Sequence, residues 1–239
     1  MHLCLCAKRC ILININISGQ ISMINKDIGL IEYSRAVDKG NCITHAVGAV
    51  LSVPAIILLA LKADGLRHTL SAVVFGLSLL AVYTVSAVYH GLRDEKKKLT
   101  ARLIDHSTVP LLIAGTATPC ALITLYEISA FHALAVFFLG WFSTFFGLFA
   151  KLFFFEKTRK ITVAVYIISS LLMMCCALPF LGQFNSGGFG GIVFGNALYL
   201  TGALFCLLGR KRPALHIVFH IFTVLASGVH FAVIYRFVV

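Results

Sequence analysis

Two histidines, His216 and His220, lie four residues apart at the start of the last apolar stretch of this chain. Residues at that spacing share one face of an α-helix, about 6 Å apart along its axis. A pair of imidazoles so arranged can hold one zinc ion, as in the helical His-Glu-x-x-His pattern. Polar groups of this kind are costly beside lipid, so their presence in an apolar stretch indicates a function.

Three further polar residues are expected at the same membrane depth. Ser86 and His90, again four apart, end the second apolar stretch, and Asp105 opens the third. With His90 added to the pair, the set matches catalytic zinc sites, where three protein ligands leave the fourth position for water. The pattern predicts zinc at His90, His216 and His220. Asp105 and Ser86 are the candidate catalytic residues, bonded to that water or orienting a ligand.

Plainer interpretations compete with this hypothesis at each residue taken alone. Asp105 follows a basic loop, so it could be a carboxylate at a helix N-terminus, stabilised by the helix macrodipole. A lone histidine such as His90 at the end of a span is more often an interfacial residue than a ligand. His216 and His220 together indicate a metal site more strongly than any single residue does. The complete set, with His90 and Asp105 added, indicates it more strongly still.

The remaining histidines are weaker candidates. His45 and His106 fall at the edge of their spans, where they could line the entrance of the site, although solvation at the interface is the favoured interpretation. His230 lies ten residues beyond His220, about 15 Å along the helix, so it cannot share a metal with it. We expect His230 to form a hydrogen bond to another helix.

The composition defines the class of protein that must position these residues. Of 239 residues, 59% are hydrophobic and only 12% are charged, whereas a soluble domain of this length needs a polar surface. A span needs about 20 apolar residues to cross roughly 30 Å of hydrocarbon, and seven stretches qualify. They are 42–61, 69–90, 107–126, 130–150, 161–181, 189–208 and 214–235. The predicted fold is all-α, a polytopic membrane protein built as a seven-transmembrane helix bundle; a β-barrel is excluded because its strands are shorter and alternate in polarity.

The basic residues predict the orientation of this bundle. Of the 20 Lys and Arg residues, all but Lys62, Arg67 and Arg236 fall on the side of the N-terminus. The positive-inside rule therefore predicts a cytoplasmic N-terminus and an outside C-terminus. The basic residues that give the net charge of +11 are the same ones that set the orientation. They lie in short loops and form no nucleic-acid recognition element. The expected location is the bacterial cytoplasmic (inner) membrane or a plasma membrane.

The first forty residues differ in composition from the rest. We expect 1–40 to be an N-terminal cytoplasmic segment and 41–239 to be the seven-span domain. Residues 13–17 alternate Ile and Asn without helical or signal-peptide character. Because of this break we expect translation to begin at Met23, so that residues 1–22 would not be native. Within the domain, Pro110 and Pro119 are expected to kink the third span.

Four segments of the chain resemble the hemolysin III family, part of the progestin and adipoQ receptor (PAQR) group of seven-span proteins. They are Asn-Cys-Ile-Thr-His-Ala-Val-Gly-Ala at 41–49, Ser-Ala-Val-Tyr-His at 86–90, Leu-Ile-Asp-His-Ser at 103–107 with Ala-Gly-Thr-Ala-Thr-Pro at 114–119, and His-Ile-Val-Phe-His at 216–220 with His-Phe at 230–231. Together they cover about residues 40–239. The wider superfamily, which includes alkaline ceramidases, is similar in sharing Ser-x-x-x-His, an Asp and His-x-x-x-His.

The resemblance implies a zinc ion near the cytoplasmic side of the bundle. By motif match it implies zinc ligation by His90, His216 and His220, a water-linked role for Asp105, and a correspondence of Ser86 to the superfamily serine. The chain departs from the family where acidic residues usually precede Asn-x-x-Thr-His, since residues 36–40 read Ala-Val-Asp-Lys-Gly here. We expect that segment not to touch the site.

Several functions are compatible with these residues. The first is a zinc-dependent hydrolase of lipid or lipid-amide substrates, with Asp105 as the base and the bilayer delivering substrate between helices. The second is a non-enzymatic sensor or receptor, or a pore-forming cytolysin, as the family name implies. A pore needs polar residues repeated along several helices, and these spans lack such stripes. Zinc transport ranks lower because no second polar site lies along a path.

Overall fold

The computed structural model describes residues 33–183 and 185–239, apart from the side chains at 152, 155–157, 159 and 160. The expected start at Met23 and the segment 1–22 lie outside the described residues. Within these ranges the chain is helical and contains no strand. The α-helices are α1 (Arg35–Lys62), α2 (Gly65–Gly91), α3 (Glu95–Thr108), α4 (Pro110–Pro119), α5 (Tyr126–Ile128), α6 (Ala130–Ala177), α7 (Ser186–Gly209) and α8 (Leu215–Val233). Two π-helices, Cys120–Leu125 and Ile234–Val238, and the 3₁₀-helix Leu178–Gln183 complete the secondary structure.

The described part of the chain holds seven segments that are long and apolar enough to cross a membrane, which confirms the predicted bundle. They are Arg35–Lys62, Gly65–Gly91, Glu95–Ile128, Ala130–Lys151, Ile161–Gln183, Ser186–Gly209 and Leu215–Val238. The fourth and fifth spans both belong to α6, which is interrupted at Phe154 by non-helical backbone angles (φ −141°, ψ 40°). We call the end where α1 begins, α2 ends and α8 begins the basic end.

Two helices begin earlier than the hydropathy predicts. α1 starts at Arg35 rather than near 42, because the hydroxyl of Ser34 accepts a hydrogen bond from the Val37 N–H. α3 starts at Glu95, because the carboxylate of Asp94 caps the Lys97 N–H at 2.8 Å. Hydropathy locates the part of a helix that lies in hydrocarbon, and it misses capped polar turns outside it. Asp105 therefore lies ten residues beyond the start of α3, near its C-terminal end, and its interpretation as a helix N-terminal carboxylate is wrong.

The third span is interrupted at both of its prolines, as the sequence predicts. α3 gives way to α4 around Val109, immediately before Pro110, and a π-helix follows Pro119. Proline cannot donate to the helical ladder, and a π-bulge accommodates the displaced backbone.

Buried aromatic and hydroxyl groups hold α2 at the centre of the bundle. α1 packs along α2 and α7 packs along α8, as short connections require of antiparallel neighbours. The hydroxyl of Tyr83 donates to the carbonyl of Thr223, 3.1 Å away, and also bonds Ser227. Ser227 in turn shares a hydrogen bond of 2.6 Å with the hydroxyl of Tyr199. This network ties α2, α7 and α8 together without leaving a hydroxyl unpaired.

His230 forms hydrogen bonds to two neighbouring helices, as predicted. Its Nε2 lies 3.3 Å from the carbonyl of Ile192 in α7, and its Nδ1 lies 3.4 Å from the hydroxyl of Thr116 in α4. The ring fits against Gly195, where an added Cβ would lie 2.3 Å from two ring atoms. The missing side chain thus lets α7 approach α8 closely enough to form these bonds.

We expect Gly195→Ala to destabilise the bundle by about 1–3 kcal/mol, because the methyl group must displace a packed imidazole. Gly190→Ala in the same helix is the control, since nothing lies within 4 Å of its added Cβ. Thermal unfolding in detergent should show a lower Tm for the first variant only. Equal melting temperatures would contradict this account of the α7–α8 contact.

Candidate metal centre

Ser86 and His90 lie on one face of α2 at the basic end. Both side chains are buried, with Ser86 one turn deeper than His90. α2 ends directly after His90, at Gly91, and Leu92 turns to extended backbone while its N–H still bonds the carbonyl of Val88 at 3.1 Å. His90 therefore occupies the last turn of a helix that is otherwise buried in the bundle.

A tight turn between α7 and α8 brings His216 to the same end. The turn contains Pro213, whose carbonyl accepts the His216 N–H at 3.1 Å. Gly209 closes it, since an added Cβ there would lie only 3.3 Å from the backbone nitrogen of His216. α8 starts at Leu215, so His216 and His220 fall in its first turns on one face.

The structure brings His90, His216 and His220 together. One ligand atom from each lies within 4.8 Å of the others. The ring centroids are 5.6 Å apart for His90 and His216, 5.0 Å for His90 and His220, and 4.6 Å for the pair on α8. Imidazole binds metal in its neutral form, through a ring nitrogen that carries no hydrogen.

Unpaired ring nitrogens show that this cluster fits a metal ion. Nε2 of His90 and Nδ1 of His220 are buried, and neither has a hydrogen-bond partner among the described residues. A buried polar atom left unpaired costs about 1–3 kcal/mol. Three converging imidazoles are a donor set that zinc prefers, and binding would remove that cost at His90 and His220.

The two candidate catalytic residues, Asp105 and Ser86, lie near the cluster of three histidines. The carboxylate of Asp105 is 15% exposed, and its Oδ2 lies 3.2 Å from Nδ1 of His106. Asp105 is also within electrostatic range of His90 and His45. Ser86 shares the face of His90 but is buried one turn deeper. The structure thus places Asp105 beside the cluster and Ser86 beneath it.

α1 supplies three polar residues that the sequence analysis did not assign to the site. Asp38, Asn41 and His45 follow a helical spacing of three and four residues, so they share a face. Oδ1 of Asp38 lies 3.0 Å from Nδ1 of His90, so the expectation that residues 36–40 do not touch the site is wrong. Recognising Ser34 as a helix cap would have revealed this face, because it extends α1 past the apolar stretch.

His45 is buried rather than solvated at the interface, which corrects the favoured interpretation of that residue. It is 4% exposed, and its ring centroid lies 3.7 Å from that of His220. Neither of its nitrogens has a hydrogen-bond partner within the described ranges. The cause is the position of α1, which packs against both α2 and α8 and so directs this face inward.

Two tyrosines cover the cluster. The ring of Tyr33 stacks on His216 with centroids 5.2 Å apart, and the ring of Tyr89 lies 4.4 Å from His90. Burial raises the pKa of the Tyr33 hydroxyl well above its ordinary value, so Tyr33 stays neutral. These rings shield the imidazoles from solvent at the basic end.

The fold and its buried polar cluster define an integral membrane protein with seven spans and a candidate metal centre at one end. Comparison with known proteins identifies its relatives. The "Haemolysin-III related" family matches residues 33–231, and the chain belongs to that family.

Several characterised proteins are similar over most of their length. Hemolysin-3 of Bacillus cereus is 35% identical over 196 residues, 80% of this chain and 87% of that protein. The Hemolysin-3 homolog of Bacillus subtilis (strain 168) is 31% identical over 80% of this chain and 89% of its own length. The human monocyte to macrophage differentiation factor is 25% identical, with 82% of each chain covered. No solved structure matches the chain.

We expect His220→Ala to lose zinc, because removal of one imidazole from the cluster leaves two ligands and a cavity. The loss should exceed the roughly 10–100-fold drop in affinity that removal of an outer hydrogen-bond partner causes. His132→Ala is the control, since His132 lies at the opposite end and bonds Ser129. Elemental analysis of purified, dialysed protein measures the result. Equal zinc in wild type and His220→Ala would contradict the assignment of the centre.

Proposed function

We propose that the chain binds zinc through His90, His216 and His220 and hydrolyses a lipid or lipid-amide substrate within the membrane. The observation that carries this proposal is the cluster of three imidazoles, of which His90 and His220 are buried and each has a nitrogen without a partner among the described residues. A structural zinc site usually has four protein ligands. A three-histidine set instead matches catalytic sites that keep a position for water.

The residues around the cluster have the chemistry that hydrolysis requires. Bound zinc would polarise a carbonyl and lower the pKa of its water towards ~7. Asp105 would accept the proton of the attacking water on a carboxylate oxygen and later deliver it to the leaving amine. His106, 3.2 Å from Oδ2 of Asp105, keeps that carboxylate oriented. Ser86, beneath His90, would hold the substrate oxygen or a water by its hydroxyl.

An apolar groove supports a lipid substrate. It lies between α1, α2 and α8, with a volume of about 260 Å³, and reaches Tyr83. Its lining includes Gly48, Ser52, Gly228 and Phe231. The ring of Tyr83, which lines the groove, is 5.1 Å from that of His45, so one wall of the groove adjoins the cluster. An acyl chain in this groove would bring its polar end to the site.

The proposed location is a bacterial cytoplasmic membrane with the centre on the cytoplasmic side. Two of the similar proteins come from Bacillus, which supports a bacterial membrane. The charge distribution supports the orientation, since the loops at the basic end carry most of the Lys and Arg residues.

We expect Asp105→Asn to lower the hydrolysis of a lipid amide by about 10²–10⁴-fold, since an amide cannot accept the proton. Zinc content should stay at the wild-type level, because Asp105 is not among the three imidazole ligands. Asp64→Asn at the opposite end of the bundle is the matched control. Release of fatty acid from a ceramide in detergent micelles measures the activity. Wild-type protein that holds zinc but releases no fatty acid from any amide or ester lipid tested would overturn the enzymatic proposal and favour a sensor or receptor.

A cytolysin is the second candidate, because two similar proteins are named Hemolysin-3 or its homolog. A pore needs polar groups along its whole length. In the described ranges, three of the four buried histidines lie at the basic end. The buried polar residues farther along the spans are mostly serines and threonines, and several of them, such as Ser78 and Ser143, bond carbonyls of their own helix, which favours hydrolysis over pore formation. Dye release from liposomes distinguishes the two. Leakage that persists in His220→Ala and Asp105→Asn would favour the cytolysin.

A further inference from the structure

Asp38 connects three helices at the basic end through its two carboxylate oxygens. Oδ1 lies 3.0 Å from Nδ1 of His90 on α2, and Oδ2 forms an ion pair with the ammonium group of Lys98 on α3. The side chain of His90 is fully buried, and that of Asp38 is 16% exposed. The contact is therefore largely out of water, where hydrogen bonds to a charged group are among the strongest.

This contact determines which nitrogen of His90 carries the hydrogen. A carboxylate only accepts hydrogen bonds, so Nδ1 must be the donor. The amide nitrogen of Asn41 also lies 3.5 Å from Nδ1, but that contact is longer and involves no charge, so Asp38 prevails. Nε2 then carries the lone pair, and Nε2 is the buried atom without a partner among the described residues.

We propose that Asp38 is a positioning residue of the candidate metal centre. It holds His90 as the Nδ1–H tautomer with Nε2 free for the ion, while its ion pair with Lys98 joins α1 to α3. The inference rests on the proposed metal binding. In known metal sites a carboxylate bonded to a ligating histidine fixes the ring and raises its basicity, which supports tight binding.

Substitutions at Asp38 and Lys98 separate this role from that of an ordinary ion pair. We expect Asp38→Ala to weaken zinc binding by about 10–100-fold, and Asp38→Glu to restore part of the loss. Asp38→Asn keeps a hydrogen-bond acceptor without the charge, so its zinc affinity should lie between those of Asp38→Ala and Asp38→Glu. Lys98→Met is the matched control, because it removes the ion pair but leaves the contact with His90. A competition titration with a chromogenic chelator measures the affinity, and the visible spectrum of Co²⁺-loaded protein reports the ligand geometry.

A purely structural ion pair predicts a different pattern. Asp38→Ala and Lys98→Met would then lower the Tm of the metal-free protein equally and leave the zinc affinity unchanged, and this inference would be wrong. Wild-type protein that binds neither zinc nor Co²⁺ would instead overturn the proposed function. The Asn variant preserves size and packing, so it keeps the test open if Asp38→Ala does not fold.

His45 provides an independent observation about the same centre. Its ring centroid lies 3.7 Å from that of His220 with the two planes tilted by 34°, and both of its buried nitrogens are without partners in the described part of the chain. Oδ1 of Asn41, one turn earlier on the same face of α1, is likewise buried and unpaired there. Two unpaired polar groups on one face point to a polar species between α1 and the cluster. We infer that His45 donates a hydrogen bond to a small oxygen ligand, water or a substrate oxygen, that would bind at the candidate centre.

The probe for His45 is acetohydroxamate, which binds metal through oxygen atoms. We expect His45→Phe, which keeps an aromatic ring against His220, to bind Co²⁺ as wild type does. Its affinity for acetohydroxamate in the Co²⁺-loaded protein should fall about tenfold, the loss of one hydrogen bond. Spectral titration measures both affinities. An unchanged acetohydroxamate affinity, or loss of Co²⁺ itself, would contradict a role in binding the oxygen ligand.

Discussion

The cost of unpaired imidazole nitrogens in a low-dielectric interior is the constraint on which the basic end of this bundle depends. Backbone groups in a membrane satisfy themselves within helices, but histidine side chains need a partner from another helix or from a ligand. His230 finds two helices and is satisfied without a ligand. His90, His220 and His45 each retain at least one nitrogen without a partner in the described ranges. The same residue type therefore joins helices at one depth and forms the candidate metal centre at another.

The helices that carry this cluster are held in register by hydroxyl groups directly beneath it. Tyr83 lies two turns below His90 on α2, and the carbonyl it bonds belongs to Thr223, less than one turn beyond His220 on α8. A slip of one helix against the other would break this bond and separate the imidazoles. The bonds of Ser227 to Tyr83 and Tyr199 extend the same restraint to α7. The site is thus positioned by this layer of hydroxyl bonds as well as by its own contacts, as binding sites of high precision require.

The sequence alone predicted the spans and the paired histidines, because both depend on local spacing. Hydropathy identified seven stretches, and the spacing of four residues placed His216 beside His220. Hydropathy and spacing lacked two kinds of information that are needed to place the site. The capped polar turns at Ser34 and Asp94 add nothing to hydropathy, so Asp38 fell outside the predicted helix and Asp105 appeared to start one. The direction in which α1 presents its polar face depends on packing against α2 and α8, which no local pattern encodes.

The charges around the candidate centre would suit a dication. A divalent ion held by three imidazoles would keep its full charge in a medium where isolated charges are very costly. Asp38 and Asp105 bring two carboxylates to this depth, one bonded to His90 and the other within electrostatic range of it. Lys98 forms an ion pair with Asp38. Asp105 contacts His106 and is within electrostatic range of Lys151. Under the proposed metal binding, a dication would add to this balance and offset both carboxylates at once. That binding would account for two acidic residues beside three imidazoles in the interior of an apolar bundle.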